Sequence, residues 1–248
     1  MTMPQSGAAA GALGPLARDL AAASLAMARR FSAGATMWCC SPTWPHHARH
    51  VAVEFVHPVI VGKRALPALM VAGPDVVESL RVSVRPGDIV LAVAGAEDPS
   101  VAEAMRRAHA WGVETIWIGV GPRPGAGVAH HVLWLPESEA LAPYDGRFIL
   151  LYHLLWELTH VCFEHPGLLK VDDPVCEGEV CITCSDEGRV GEVIAVRDDG
   201  DALVRTSDGR ETVDTTLVGP VGRNDLVLIH AGSAISRLAP EVSQAVGP

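Results

Sequence analysis

The sequence predicts an α/β protein: a three-layer parallel sheet with helices on both faces, followed by a small all-β barrel with a short C-terminal helix. Three observations carry that expectation. Across residues 14–167, short apolar runs alternate with amphipathic stretches of helical period, the pattern of strands covered on both faces by crossover helices. From Arg189 onward the runs are short and alternating, with acidic or glycine-containing turns such as DDGD and SDGR between them, which reads as an antiparallel meander. Between the two textures lies a polar stretch containing VDDP. The predicted organisation is a tail over 1–13, an α/β domain over 14–167, a linker over 168–180 and a barrel domain over 181–248. A chain of 248 residues is long enough for two modest cores.

Leu16, Leu20, Met27 and Phe31 recur at helical spacing after Gly14-Pro15, which predicts an amphipathic helix over 15–31. ATMWCC (35–40) is a short apolar strand running into the loop SPTWP, and HARHVAVEFV (47–56) is helical in pattern. LPALMVAG, GDIVLAVAG, ETIWIGVG and HHVLWLP supply further strands. DPSVAEAMRRAHAWG is a helix ending at Gly112, and residues 145–165 form a long, mostly apolar closing helix. In the last third, GEVIAV, DALVRT, ETVDTTLV and DLVLIHAG read as strands, with a tail helix near ISRLAPEV (235–242).

Charge and hydropathy exclude some functions. The net charge is −10, and residues 171–248 hold fifteen Asp and Glu against six Arg. An acidic module of this kind argues against nucleic acid, whose affinity comes from neutralised phosphates. The opening MTMPQSGAAAGALG has neither the basic nor the apolar region of a signal peptide. No apolar run reaches the roughly 18–20 residues of a membrane span. The expected location is the cytoplasm, where thiols stay reduced. Cys39, Cys40 and Cys162 sit on apolar elements and are expected to be buried, inert thiols.

The remaining cysteines, Cys176, Cys181 and Cys184, crowd into VCEGEVCITCSDEGRV. A zinc site would need a fourth ligand such as Cys162 or His165. Cys181 and Cys184 could form a redox pair, though no thioredoxin-like βαβ pattern surrounds them. A single working ligand with idle neighbours is the third reading.

The C-terminal part resembles the HypC/HupF family of hydrogenase maturation chaperones. The residues that carry the likeness are CITCSDEGRV, the strand GEVIAV and above all GRNDLVLIHAGSAISRL (222–238). The family opens on a C-x-x-x-P-G run at the chain start, whereas here the cysteine is internal and SDEG replaces Pro-Gly. The resemblance implies an OB-like barrel that carries an Fe(CN)2(CO) unit. It implies Cys181 as iron ligand, His230 in support and Cys184 as an extra thiol. The implied partners are a HypD-like maturation protein and the [NiFe]-hydrogenase large subunit. Thiolate and imidazole suit low-spin Fe(II).

Residues 14–165 resemble SIS-domain proteins of the phosphoheptose isomerase type, through FSAGATMWCCSPTWPHHARHVAVEFV and VRPGDIVLAVAGAEDPSVAEAMRRAHAWGVETIWIG. The likeness implies a five-stranded parallel sheet, usually in a homo-oligomer. The phosphate-cradling loops are rewritten as CSPTWPHHA and AGAEDPS, and Glu97 and Asp98 bring negative charge, so a phosphosugar substrate is not expected. The resemblance also implies a metal held by His-x-x-x-Glu on one helix and a polar group eight residues before a His on another. His50 with Glu54, and Asp145 with His153, have those spacings, which place each pair on one helical face. Glu54 and His153 match the family's catalytic positions, and the four residues could hold zinc. They could equally be polar groups that bond to one another. Two functions follow. In the first, the barrel carries iron and the SIS-like half serves oligomerisation, docking or ligand sensing. In the second, the SIS-like half is a metal-dependent, isomerase-like enzyme with an appended partner-binding barrel.

Overall fold

The computed structural model describes residues 16–135, 146–170, 188–197 and 199–238. The chain runs α1 (Ala17–Ser32), β1 (Met37–Cys40), α2 (Pro45–Val56), β2 (Ala68–Met70), α3 (Val76–Ser83), β3 (Ile89–Val93), α4 (Pro99–Ala110), β4 (Glu114–Val120), β5 (His131–Leu135) and α5 (Gly146–Glu164), with a 3-10 turn at Pro166–Leu169. The five strands form one sheet in the order β2-β1-β3-β4-β5, every neighbouring pair parallel. All residues of β3 and β4 are buried, as expected of strands covered on both faces. On one face α1, α2 and α5 pack with Met27, Phe31, Phe55, Phe148 and Leu151. On the other, α3 and α4 pack around Leu80, Met105, Trp111 and Trp117.

Cys39 and Cys40, adjacent on β1, point into opposite cores, and both are buried. Burial raises both thiols, with Asp98 adding to the rise at Cys40, which is pushed up to about 12. Cys162 is also buried, and burial raises it too. All three are neutral and unreactive, as the sequence suggested. One glycine is demanded by close approach: at Gly119, the Trp134 ring and the Ala94 carbonyl occupy the space a Cβ would need. Helix α3 is an addition to the sequence reading. Its signal is the pair Asp75 and Glu78, since the Asp75 carboxylate accepts from the Glu78 backbone N–H at 3.0 Å.

The C-terminal strands are β6 (Arg189–Val196), β7 (Asp201–Thr206), β8 (Gly209–Asp214), β9 (Leu226–His230) and β10 (Ser233–Leu238). They close into a barrel in the order β10-β8-β7-β6-β9 around Val193, Ala202, Val204, Val213, Val227, Ile229 and Ala234. One expectation is corrected here. The tail helix predicted over 235–242 begins in what is β10: residues up to Leu238 pair antiparallel with β9. Without that fifth strand the sheet would keep an open edge. Residues 239–242 lie outside the described residues.

The barrel and the α/β half share a boundary built on a buried charge. Glu192 of β6 is 3% exposed. One of its oxygens accepts from Arg81 at 2.9 Å and Arg107 at 2.7 Å, and the other from the Trp111 indole N–H at 2.8 Å. Arg107 also donates to the Asn224 carbonyl at 2.6 Å, and the Arg205 guanidinium lies 5.6 Å from the Trp111 ring centroid. Around these groups Val190 and Leu226 join the α3/α4 core. Burial alone would raise the Glu192 carboxyl, but the Trp111, Arg81 and Arg107 hydrogen bonds reverse that and lower it.

Candidate functional site

In a sheet of this strand order, the order of the strands reverses between β1 and β3, and a crevice opens at their C-terminal ends. Here the hydroxyls of Ser41, Thr43 and Ser100 are engaged within the chain. The Ser41 hydroxyl donates to the Val93 carbonyl at 2.6 Å, and Thr43 donates to Asp98 at 3.2 Å. Asp98 caps α4 by accepting from the Ser100 and Val101 backbone N–H groups and the Ser100 hydroxyl. The helix N-terminus that would receive an anion therefore holds a carboxylate of the chain itself. Glu97 adds a second, folded over Gly95, and Trp44 stands against Phe148 with ring centroids 5.5 Å apart.

Beside this crevice, α2 and α5 bring three of the predicted residues together. The Pro45 that follows Trp44 starts α2, and His50 and Glu54, one turn apart, share the face turned to α5. His50 Nε2 lies 3.3 Å from His153 Nε2, which is 3.7 Å from a Glu54 oxygen. One ligand atom from each residue lies within 4.8 Å of the others, and all three side chains are half-buried. Two imidazole nitrogens bound to tetrahedral zinc at about 2.0–2.1 Å must sit about 3.3–3.4 Å apart, so the observed separation fits a divalent metal. With three protein ligands, such an ion would keep a position open for water or substrate. Asp145, the predicted fourth ligand, lies outside the described residues.

Tyr152 belongs to the same cluster. Its hydroxyl is 2.9 Å from His50 Nδ1 and 3.5 Å from His47 Nδ1. Sequence reasoning passed over it, because a tyrosine in an apolar helix reads as core. The available signal was its place directly before His153.

The barrel offers a second place. Ala231 and Gly232 have φ of 49° and 79°, the two left-handed positions of the tightest hairpin turn. Ser233 accordingly pairs with His230 across the β9–β10 hairpin. Ile229 pairs with Arg189, so His230 lies one residue farther, beside the point where residue 188 joins the barrel. Cys176, Cys181 and Cys184 lie outside the described residues. The α2/α5 cluster and the barrel are on opposite sides of the sheet: the cluster is in the α1/α2/α5 layer, while the barrel rests on α3 and α4.

A scan of protein families then bears on the C-terminal part. Residues 180–246 match the HupF/HypC family. The matched span contains Cys181, Cys184 and the β9–β10 hairpin with His230. For the remainder, solved structures supply the likeness. A phosphoheptose isomerase from Francisella tularensis superposes with TM-score 0.52 and 19% identity over 62% of this chain and 89% of that one. A phosphoheptose isomerase from Neisseria gonorrhoeae gives 0.49 and 18% over the same shares. At that identity the likeness establishes the SIS-type fold of the α/β half. No curated protein matches the chain. Among the described residues no helix is long and apolar enough to cross a membrane.

Proposed function

We propose that the chain is a hydrogenase maturation carrier. Its HupF/HypC barrel holds an Fe(CN)2(CO) unit through the Cys181 thiolate, with His230 in support, and hands it to a [NiFe]-hydrogenase large subunit after receiving it from a HypD-like maturation protein. The observation that carries this reading is the family match over 180–246, which spans the CITC segment and the HAG hairpin together. The β6–β9 register is compatible with it, since His230 lies one residue beyond the Ile229–Arg189 pair and so near residue 188. Both groups are soft or borderline donors suited to low-spin Fe(II). The SIS-like half serves as the docking platform for the barrel and as an oligomerisation module, in the cytoplasm.

A second reading, a metal-dependent isomerase-like enzyme with an appended barrel, is favoured by the His50, Glu54 and His153 geometry. Zinc bound there would polarise a carbonyl or acidify a bound water. The three side chains would hold it, and a carboxylate or imidazole not engaged as ligand could move a proton. The capped crevice speaks against a phosphorylated substrate. A panel of sugar phosphates is therefore expected to leave the melting temperature unchanged; a dose-dependent rise would restore the isomerase reading.

The deciding experiment is an infrared spectrum of protein purified anaerobically after co-expression with the maturation partners. Cyanide and carbon monoxide stretching bands are expected, and their loss in Cys181→Ala with an unchanged fold. Bands that persist in Cys181→Ala and vanish in Cys184→Ala would move the ligand to Cys184. A blank spectrum from protein carrying stoichiometric zinc would shift the function to the α2/α5 cluster.

A further inference from the structure

We infer that Tyr152 and His47 form a hydrogen-bond relay that sets the tautomer of His50 and so prepares its Nε2 as a metal ligand. The inference rests on the metal-binding reading of the His50, Glu54 and His153 cluster. A neutral imidazole has one protonated and one bare nitrogen. For Nε2 of His50 to face His153 and Glu54 with its lone pair, the proton must sit on Nδ1. The Tyr152 oxygen, 2.9 Å away, is the acceptor for it. A phenol that accepts there still has one proton to give, and His47 Nδ1 lies 3.5 Å from the same oxygen. The relay thus runs from His50 Nδ1–H to Tyr152 O, and from Tyr152 O–H to His47 Nδ1.

The surroundings favour this arrangement. His47 is 1% exposed and Tyr152 is fully buried, so an unpaired proton or lone pair here is costly. A tyrosine hydroxyl has one proton to give and lone pairs to accept with, so a single oxygen can serve both imidazoles at once. The Tyr152 ring packs against His47, His50 and His153, with centroids 6.0, 5.1 and 5.5 Å away, which holds the imidazoles in place. Protein groups that bond the remote nitrogen of a ligating histidine typically change metal affinity 10- to 100-fold. Tyr152 is a positioning residue: it acts through His50.

Tyr152→Phe keeps the ring and removes the acceptor. Its His50 would gain by moving the proton to Nε2, where it cannot bind a metal. Cobalt(II) titrated into the full chain, followed by its visible absorption, is the test. Wild type is expected to bind one equivalent with the intense bands of a four-coordinate site, and His153→Ala to lose them. Tyr152→Phe should bind about 10- to 100-fold more weakly, with the far-ultraviolet circular dichroism of the metal-free protein unchanged. His47→Asn keeps an acceptor for the Tyr152 hydroxyl and should retain near-wild-type affinity, whereas His47→Leu should follow Tyr152→Phe. Equal affinity in wild type and Tyr152→Phe overturns the relay and leaves the metal site standing. Absence of binding in wild type overturns both.

Discussion

Glu192→Ala is expected to release the barrel from the α/β half and to cost about 3–5 kcal/mol, the usual loss when one partner of a buried ion pair is deleted. The carboxylate takes hydrogen bonds from Arg81, Arg107 and Trp111 on the other half. Its removal leaves the Trp111 indole N–H without an acceptor and strips both guanidiniums of their shared counter-ion. Arg107 retains Glu103 and Arg81 retains Glu78, which places the expected cost nearer the lower end. Because the pair is buried, salt should screen it little. Urea unfolding reads the loss, and small-angle scattering reads the separation. Wild type should unfold in one transition with a compact radius of gyration. The variant should show two transitions and a larger radius. A single, unshifted transition in Glu192→Ala would show that Val190, Leu226 and Arg205 hold the halves together without the charge. Glu192→Gln, which keeps the shape and some of the acceptor function, should fall between the two.

Acid is expected to weaken the protein well above the pH at which carboxylates normally protonate. Glu114, at the start of β4, accepts from Arg30 at 3.1 Å and from His131 at 3.2 Å. Next to it, the Thr115 backbone N–H donates to His130 Nδ1 at 3.2 Å. Burial is the main cause that lowers His130, and nearby His109, His131 and Arg30 add to it. Glu114 offsets part of the shift, and the imidazole comes down to about 4. Burial would raise Glu114, but His131, His130 and Arg30 overcome it and hold the carboxyl down at about 2. For His130 the folded state prefers the neutral ring, so its contribution is complete above the unfolded value near 6.5. It falls away as the pH drops from 6.5 to about 4. For Glu114 the folded state prefers the charged carboxylate, so its contribution is complete above 4.5 and disappears between 4.5 and about 2. A pKa unit corresponds to about 1.4 kcal/mol, but His130 as a whole residue is solvent-exposed, so screening by water cuts its window to about 1 kcal/mol. Urea midpoints measured from pH 7 to pH 4 should decline in the wild type. His130→Asn, which offers an oxygen to the Thr115 N–H but cannot titrate, should flatten that decline. An identical slope in both proteins would assign the loss to other histidines.

How far these features could be read from the chain depends on the range of the interaction. The α4 helix announced itself through Asp98, Pro99 and a regular apolar spacing, all of which are local. His50 with Glu54 could be paired by spacing because one helical turn makes them neighbours wherever the helix goes. Their meeting with His153 could be expected only from the resemblance, since no local rule joins residues 50 and 153. Tyr152 was hidden for the opposite reason: in an apolar helix its hydroxyl gains meaning only from the two imidazoles across the α2–α5 contact. Strand β10 was misread as a helix because SRL carries no decisive propensity, and closure of the barrel, a non-local hydrogen-bond demand, decided its conformation.

Periodicity, turn residues and motif spacing were thus enough to define two halves, a parallel sheet, a meander, buried thiols and one face of the His50, Glu54 and His153 cluster. They act within a few residues along the chain. The clamp on Glu192, the tautomer-setting contacts of Tyr152 and the network around Glu114 were decided by folding alone. Each brings together groups from separate elements, and burial then makes the energy of their pairing depend on partners that sequence order does not reveal.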